Sequence, residues 1–205
     1  MSRWNLSAFE CAAATLAQRL LGATLVRVLE DGTRLAGKIV ETEAYLGVMD
    51  RAAHSFGGRR TARNESMYGC AASSYVYLIY GIHHCFNVVC GDAGEPAAVL
   101  IRALEPTEGL EQMFGRRLKA RRETDLCSGP GKLCQALAID RSLDGMDLAT
   151  SRELFVEGSR DKPIDLAGTV NTTRIGVGYA QDWANKDLRW YLADSPHVSA
   201  RSGAA

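Results

Sequence analysis

Asp31-Gly32 separates two runs of strand-forming residues, 23–29 and 35–46, and the second run is unusually long. Aspartate followed by glycine between two such runs is a strong hairpin signal, because the tight turn needs positive φ angles that glycine adopts freely. Two antiparallel strands are therefore expected. Three further runs, 75–80, 84–90 and 97–104, are rich in aromatic and branched residues and are separated by glycine-containing turns. They predict a meander of strands continuing the same sheet.

Helical spacing occupies the remainder. Ser7 and Glu10 form an S-x-x-E capping box ahead of an apolar run that reaches Leu20 and Leu21, and Gly22 suits the stop. Leu110, Met113, Phe114 and Leu118 recur at helical spacing, and residues 132–139 predict a further short helix. Residues 174–180 and 188–193 read as late strands, 157–165 as a polar stretch, and the segment after Ser199 as a frayed tail. Residues 56–66, with Arg59, Arg60 and Arg63, read as a basic surface loop.

With 205 residues, 46% apolar and 23% charged, and with neither repeat nor linker, the chain fits one compact domain. No stretch has the length of a membrane span, and residues 1–6 lack the regions of a signal peptide, so a location in the cytosol or with the chromosome is expected. The cysteines (Cys11, Cys70, Cys85, Cys90, Cys127, Cys134) show no zinc spacing and read as buried thiols. A net charge of zero argues against coating nucleic acid by bulk electrostatics, while local clusters such as Arg116, Arg117, Lys119, Arg121 and Arg122 could still hold phosphates or simply form a solvated helix end.

Strand alternation places Glu41, Glu43 and Tyr45 on one face of the long strand and Val40, Thr42 and Ala44 on the other. Taken alone, such a glutamate is a solvent-facing edge residue. The tyrosines of Ser-Tyr-Val-Tyr-Leu-Ile-Tyr-Gly could be core, but aromatics beside arginines are also what stacks an unpaired base. Alternation sends Tyr77 and Tyr80 to opposite faces.

Several long words then converge. Val40-Glu-Thr-Glu-Ala-Tyr-Leu-Gly47, Ala53-His-Ser55, Gly57-Gly-Arg59, Tyr75-Val-Tyr-Leu-Ile-Tyr-Gly81, Leu100-Ile-Arg-Ala-Leu-Glu-Pro106 and Cys127-Ser-Gly-Pro-Gly-Lys-Leu-Cys-Gln-Ala-Leu-Ala-Ile139 closely resemble the alkyladenine (3-methyladenine) DNA glycosylase family. The match runs in order over nearly the whole chain. It implies an α+β fold: a single domain with a curved antiparallel β-sheet, an inserted β-hairpin wedge and surrounding helices. It implies excision of damaged purines from double-stranded DNA by a monomer that needs no metal and no organic cofactor, in the bacterial cytoplasm at the nucleoid or in a eukaryotic nucleus.

By this resemblance, Glu43 deprotonates the attacking water with Arg102 beside it, although Arg102 could equally pair with Glu41 or Glu105. Tyr45 and His54 line one side of the flipped base and Tyr77 the other, and Asn87 crowds the purine 2-amino position. Tyr80 wedges into the duplex with Ile82 and His83 beside it, and this chain has His83 where some members carry tyrosine. Arg59, Arg63 and Lys132 hold the DNA backbone, the last from a Ser128-Gly-Pro-Gly-Lys132 loop that is not a P-loop. A module that binds lesions without excising them would have no use for Glu43, and a suicidal alkyl acceptor needs a cysteine context that His84-Cys85-Phe86 does not supply.

Overall fold

A computed structural model describes residues 2–158 and 168–201. The Asp31-Gly32 turn joins β1 (Thr24–Val28) to β2 (Arg34–Tyr45), with Gly32 at φ +83°. The meander follows as β3 (Ser74–Ile79), β4 (His83–Cys90) and β5 (Ala97–Glu108), and β5 returns to pair with β2 along almost its full length. Four-residue strands β6 (Leu154–Glu157), β7 (Thr169–Thr172) and β8 (Arg189–Leu192) complete the sheet. Among the described residues the sheet runs β3-β4-β5-β2-β1-β6, while β8 pairs with β2 and β7. All these pairings are antiparallel, and the architecture is α+β.

The length of β2 explains the curvature. Its first half, residues 34–38, pairs with β1, and its second half, residues 41–43, pairs with β8, so two different strands flank one edge. On the other edge the register against β5 slips near Glu41. Val40 is skipped between Ile39↔Leu104 and Glu41↔Ala103, and Arg102 is skipped between Glu41↔Ala103 and Thr42↔Ile101. Such bulges bend a strand and re-aim side chains, and here they make Arg102 and Ala103 both oppose Glu41. Residues 35–44 are buried apart from Lys38, because neighbours cover both faces.

Helix α1 (Ala13–Leu20) packs its Leu16, Ala17 and Leu20 onto one face, where Thr42 Oγ1 donates to the carbonyl of Ala17 at 2.9 Å. Full burial of each leucine contributes about 1.5–3 kcal/mol. Helices α2 (Leu110–Arg116) and α3 (Pro130–Ala136) close the same core, which also contains Phe86, Ile101, Leu104 and Met113.

Several expectations are corrected. The capping box does not form: Ser7 Oγ bonds to Asn5 and the helix begins only at Ala13, because Phe9 must turn inward against Trp4, with ring centroids 5.6 Å apart. Residues 174–180 are not a strand. Arg174 is anchored in the interior and Gly176, at φ +75°, bends the chain into 3-10 turns over Gly178–Asn185. Glu157 belongs to β6, and residues 159–165 of the expected polar stretch lie outside the described residues. The segment after Ser199 is not frayed at its start, where the Ala200 carbonyl accepts from Arg189 Nη1 at 2.8 Å, and residues 202–205 lie outside the described residues. Cys70 is exposed and Cys11 half-buried, whereas the other four cysteines are buried thiols.

Candidate active site

Glu43 occupies the centre of the sheet with no solvent exposure. A buried carboxylate needs donors, and three reach it. Tyr45 Oη donates to Oε2 at 2.9 Å, the Ile175 backbone N–H donates to Oε1 at 2.7 Å, and Arg102 Nη1 lies 3.2 Å from Oε1. Burial, reinforced by Glu43, holds the Tyr45 phenol well above its usual range, so it remains a donor. Burial pulls the Arg102 guanidinium down, but Glu43 and then Glu41 outweigh that effect and its pKa is raised overall.

Immediately above this layer lies a cavity of about 360 Å³, within the range of small-ligand sites. Tyr45, Arg102 and Ile175 form its floor nearest Glu43; His54, Tyr77 and Asn87 also line it. Tyr77 stacks on Tyr75, with centroids 5.2 Å apart, and His54 meets Tyr77 edge-on at 4.6 Å. His54 and Tyr77 therefore form one corner of the cavity and do not face each other across a slot. The Tyr75 hydroxyl lies 2.7 Å from His54 Nδ1. Burial, with Arg63 and Arg59 adding positive potential, lowers the His54 pKa to about 4, so the ring is neutral at pH 7. A neutral ring accepting the Tyr75 proton at Nδ1 carries its own hydrogen on Nε2. Asn87 Nδ2 donates to the Tyr75 carbonyl at 3.1 Å, and the residue lines the cavity.

The rim is built differently. Tyr80 and Gly81 have φ values of 53° and 72°, and Tyr80 is 86% exposed at the tip of the β3–β4 hairpin. A non-glycine residue in the left-handed region costs on the order of 1 kcal/mol, so this tip retains strain that a glycine would remove. Tyr80 and His83 line the cavity mouth, facing Pro130 and Gly131 at the start of α3. Gly131 approaches His83 so closely that an added Cβ would lie 3.1 Å from the His83 Cβ. Ile82, 72% exposed, stands beside them without lining the cavity.

Arg59 and Arg63 line a neighbouring cavity of about 300 Å³ that shares His54 and Tyr179 with the first. The loop carrying them is knit around buried Asn64, which donates to the carbonyls of His54 and Arg59. Arg63 donates to the Leu78 carbonyl and lies 5.4 Å from the Tyr77 ring centroid. Lys132 is exposed, bonds Ser128 Oγ at 3.3 Å and lines neither cavity.

Sequence reasoning missed the layer beneath. Arg174 and Asp50 form a pair with no side-chain exposure, their closest atoms 2.5 Å apart. Arg174 also donates to the Ala44 carbonyl and sits 4.8 Å from the Tyr45 ring centroid, while Asp50 accepts from the Leu46 and Ala52 N–H groups. That pair fixes the bend that delivers the Ile175 N–H to Glu43. Arg102 pairs with Glu41 as well as Glu43, and Glu105 pairs instead with Lys38. Glu41, expected on a solvent-facing edge if it had no role, is fully buried. Its one sequence signal was the i, i+2 spacing to Glu43; Asp50 and Arg174, 124 positions apart, gave none.

Residues 7–196 match the family model described as methylpurine-DNA glycosylase. The chain belongs to the methylpurine-DNA glycosylase family. It is 51% identical to the DNA-3-methyladenine glycosylase of Mus musculus over 93% of its own length and 59% of that protein. It is 48% identical to the Homo sapiens DNA-3-methyladenine glycosylase over 97% of its length and 68% of that protein. A Desulfitobacterium hafniense protein, provisionally named as a 3-methyladenine DNA glycosylase, is 46% identical across 91% of this chain and 93% of its own. The chain thus spans about three fifths of the mouse relative it matches.

Proposed function

We propose that the protein is a monofunctional DNA glycosylase that flips alkylated or deaminated purines (3-methyladenine, 7-methylguanine, hypoxanthine, ethenoadenine) out of double-stranded DNA and hydrolyses the N-glycosidic bond. The observation that carries this reading is a fully buried glutamate, gripped by three donors, directly behind a cavity walled by aromatic rings. Membership of the family supports it.

Glu43 takes a proton from a water as the water oxygen bonds to the sugar C1′; the C1′–N9 bond breaks and its electrons leave with the purine. General base assistance supplies about 10²–10⁴-fold in rate. Alkylation at N3 or N7 makes the purine cationic and already a good leaving group, whereas a neutral lesion must also gain a proton. Arg102 and the Ile175 N–H hold the carboxylate in place, and Tyr45 remains protonated throughout. Because the nucleophile is water, the product is an abasic site.

The aromatic corner of His54 and Tyr77, with Tyr45, receives the extruded base, each stack contributing on the order of 1–3 kcal/mol. Asn87 crowds a purine 2-amino group and so disfavours guanine. Tyr80, with Ile82 and His83, fills the gap left in the duplex. Arg59, Arg63 and Lys132 hold phosphates. The test is base release from a labelled duplex containing one hypoxanthine or ethenoadenine, read as strand cleavage in alkali. Abasic product supports the reading; tight lesion binding without product assigns the protein to recognition alone.

A further inference from the structure

Glu41 has no part in the reaction as derived, yet it accepts four hydrogen bonds, against the three donors that reach Glu43. It is fully buried and accepts from Arg102 Nε at 3.0 Å, Arg189 Nη1 at 2.8 Å, Ser199 Oγ at 2.9 Å and the Ser199 backbone N–H at 2.6 Å. Burying an ion costs several kcal/mol unless such partners compensate, so a carboxylate in this position would be eliminated unless it performed a task or were fully satisfied.

We infer that Glu41, clamped by Ser199 from the C-terminal segment, is a positioning residue that divides the Arg102 guanidinium between two carboxylates and thereby keeps Glu43 free to act as a base. This rests on the reading of Glu43 given above. The guanidinium is a rigid planar fork, so fixing two of its nitrogens fixes the third. Nε is held by Glu41 and Nη2 faces Ser199 Oγ at 3.4 Å, leaving only Nη1 for Glu43. Without Glu41 the same fork is free to close on Glu43 with two parallel N–H donors, the strongest arrangement an arginine and a carboxylate adopt. Tyr45 and the Ile175 N–H already take two of the four acceptor sites of the Glu43 carboxylate, so two arginine donors would fill the rest and no lone pair would remain for a water.

The sheet is shaped for this division. The bulge that skips Arg102 sets it opposite Glu41 on the face Glu41 shares with Glu43, and Arg189 arrives from β8 on the other edge of β2. The C-terminal segment closes the arrangement: Ser199 supplies two bonds to Glu41, and the Ala200 carbonyl accepts from Arg189 Nη1 at 2.8 Å. Two glutamates and two arginines thus balance in charge beneath the cavity.

The experiment compares Glu41→Gln, Ser199→Ala and Ser199→Thr in the full chain with wild type. It reads single-turnover base release, the dissociation constant for the lesion duplex, melting temperature, and the ¹H–¹⁵N resonance of Arg102 Nε. Glu41→Gln should slow release at least tenfold and Ser199→Ala three- to tenfold, with the dissociation constant within twofold of wild type. Ser199→Thr, which keeps the hydroxyl, should restore the rate. The Arg102 Nε resonance should move in the first two variants and not in the third. Folded Glu41→Gln and Ser199→Ala proteins releasing base at the wild-type rate would overturn the inference, as would parallel losses of release and binding. If wild type released no base while the Nε resonance still moved, the clamp would stand and the reading of Glu43 as a catalytic base would fail.

Discussion

The floor of the cavity is built from buried charged side chains and its rim from exposed aromatic and aliphatic ones. At the floor, Glu41, Glu43, Asp50, Arg102 and Arg174 are buried, paired and hydrogen-bonded from several elements. At the rim, Tyr80 and Ile82 are exposed, and Tyr80 sits in a backbone conformation that disfavours it. On the proposed reading, chemistry on a sugar would draw on charges that do not reorganise, which the interior holds. Opening a duplex would draw on the surface that the exposed tip displays. Truncating a paired floor side chain should therefore damage folding and reaction together, whereas truncating a rim side chain should separate the two.

The largest effect on folding is expected for Asp50→Ala. Leaving Arg174 buried without its partner should cost about 3–5 kcal/mol in denaturant unfolding and abolish base release, because the Ile175 N–H loses its anchor. A stable Asp50→Ala protein would break the contrast between floor and rim.

Next comes His54, at the boundary between the two regions. Its folded pKa of about 4 lies below the usual 6.5, so the unfolded chain binds a proton first as the pH falls. Stability from this group is intact above pH 6.5 and declines through the window down to about 4, by on the order of 3 kcal/mol in all. His54→Gln should flatten that part of the stability profile, and an unchanged slope would show that His54 is not held neutral.

Tyr80→Gly should divide function from folding most clearly. Glycine accepts the positive φ, so stability should rise by up to about 1 kcal/mol, while excision from duplex falls roughly ten- to hundredfold through the lost stacking. Equal activity with raised stability would remove the wedge role. The smallest effect belongs to Arg59→Ala and Arg63→Ala: folding should change little, and the salt dependence of duplex binding should lose about 0.9 in log–log slope for each phosphate contact removed.

The sheet was legible in the sequence because period-two patterning and the Asp31-Gly32 turn report directly on strands with one determined partner. The late segment was not. Residues 174–180 have the composition of a strand, but the buried Arg174–Asp50 pair and the bend at Gly176 decide their conformation, and no local pattern carries that information. Strands β6 and β7, four residues each, are too short to show a period. In the site, long contiguous words located Tyr45, His54, Tyr77, Tyr80, His83, Asn87 and Arg102 around one cavity, with Glu43 buried behind Tyr45 and Arg102. The supporting layer of Glu41, Asp50, Arg174, Arg189 and Ser199 comes from separate elements, and only the fold joins it.

The most direct test of the central claim is to measure release and binding side by side for wild type and Glu43→Gln on one ethenoadenine duplex. The account predicts that Glu43→Gln binds the lesion with an affinity close to wild type and releases base about 10²–10⁴-fold more slowly in single turnover. Release at the wild-type rate from a folded Glu43→Gln protein would contradict it and leave the buried glutamate a structural residue.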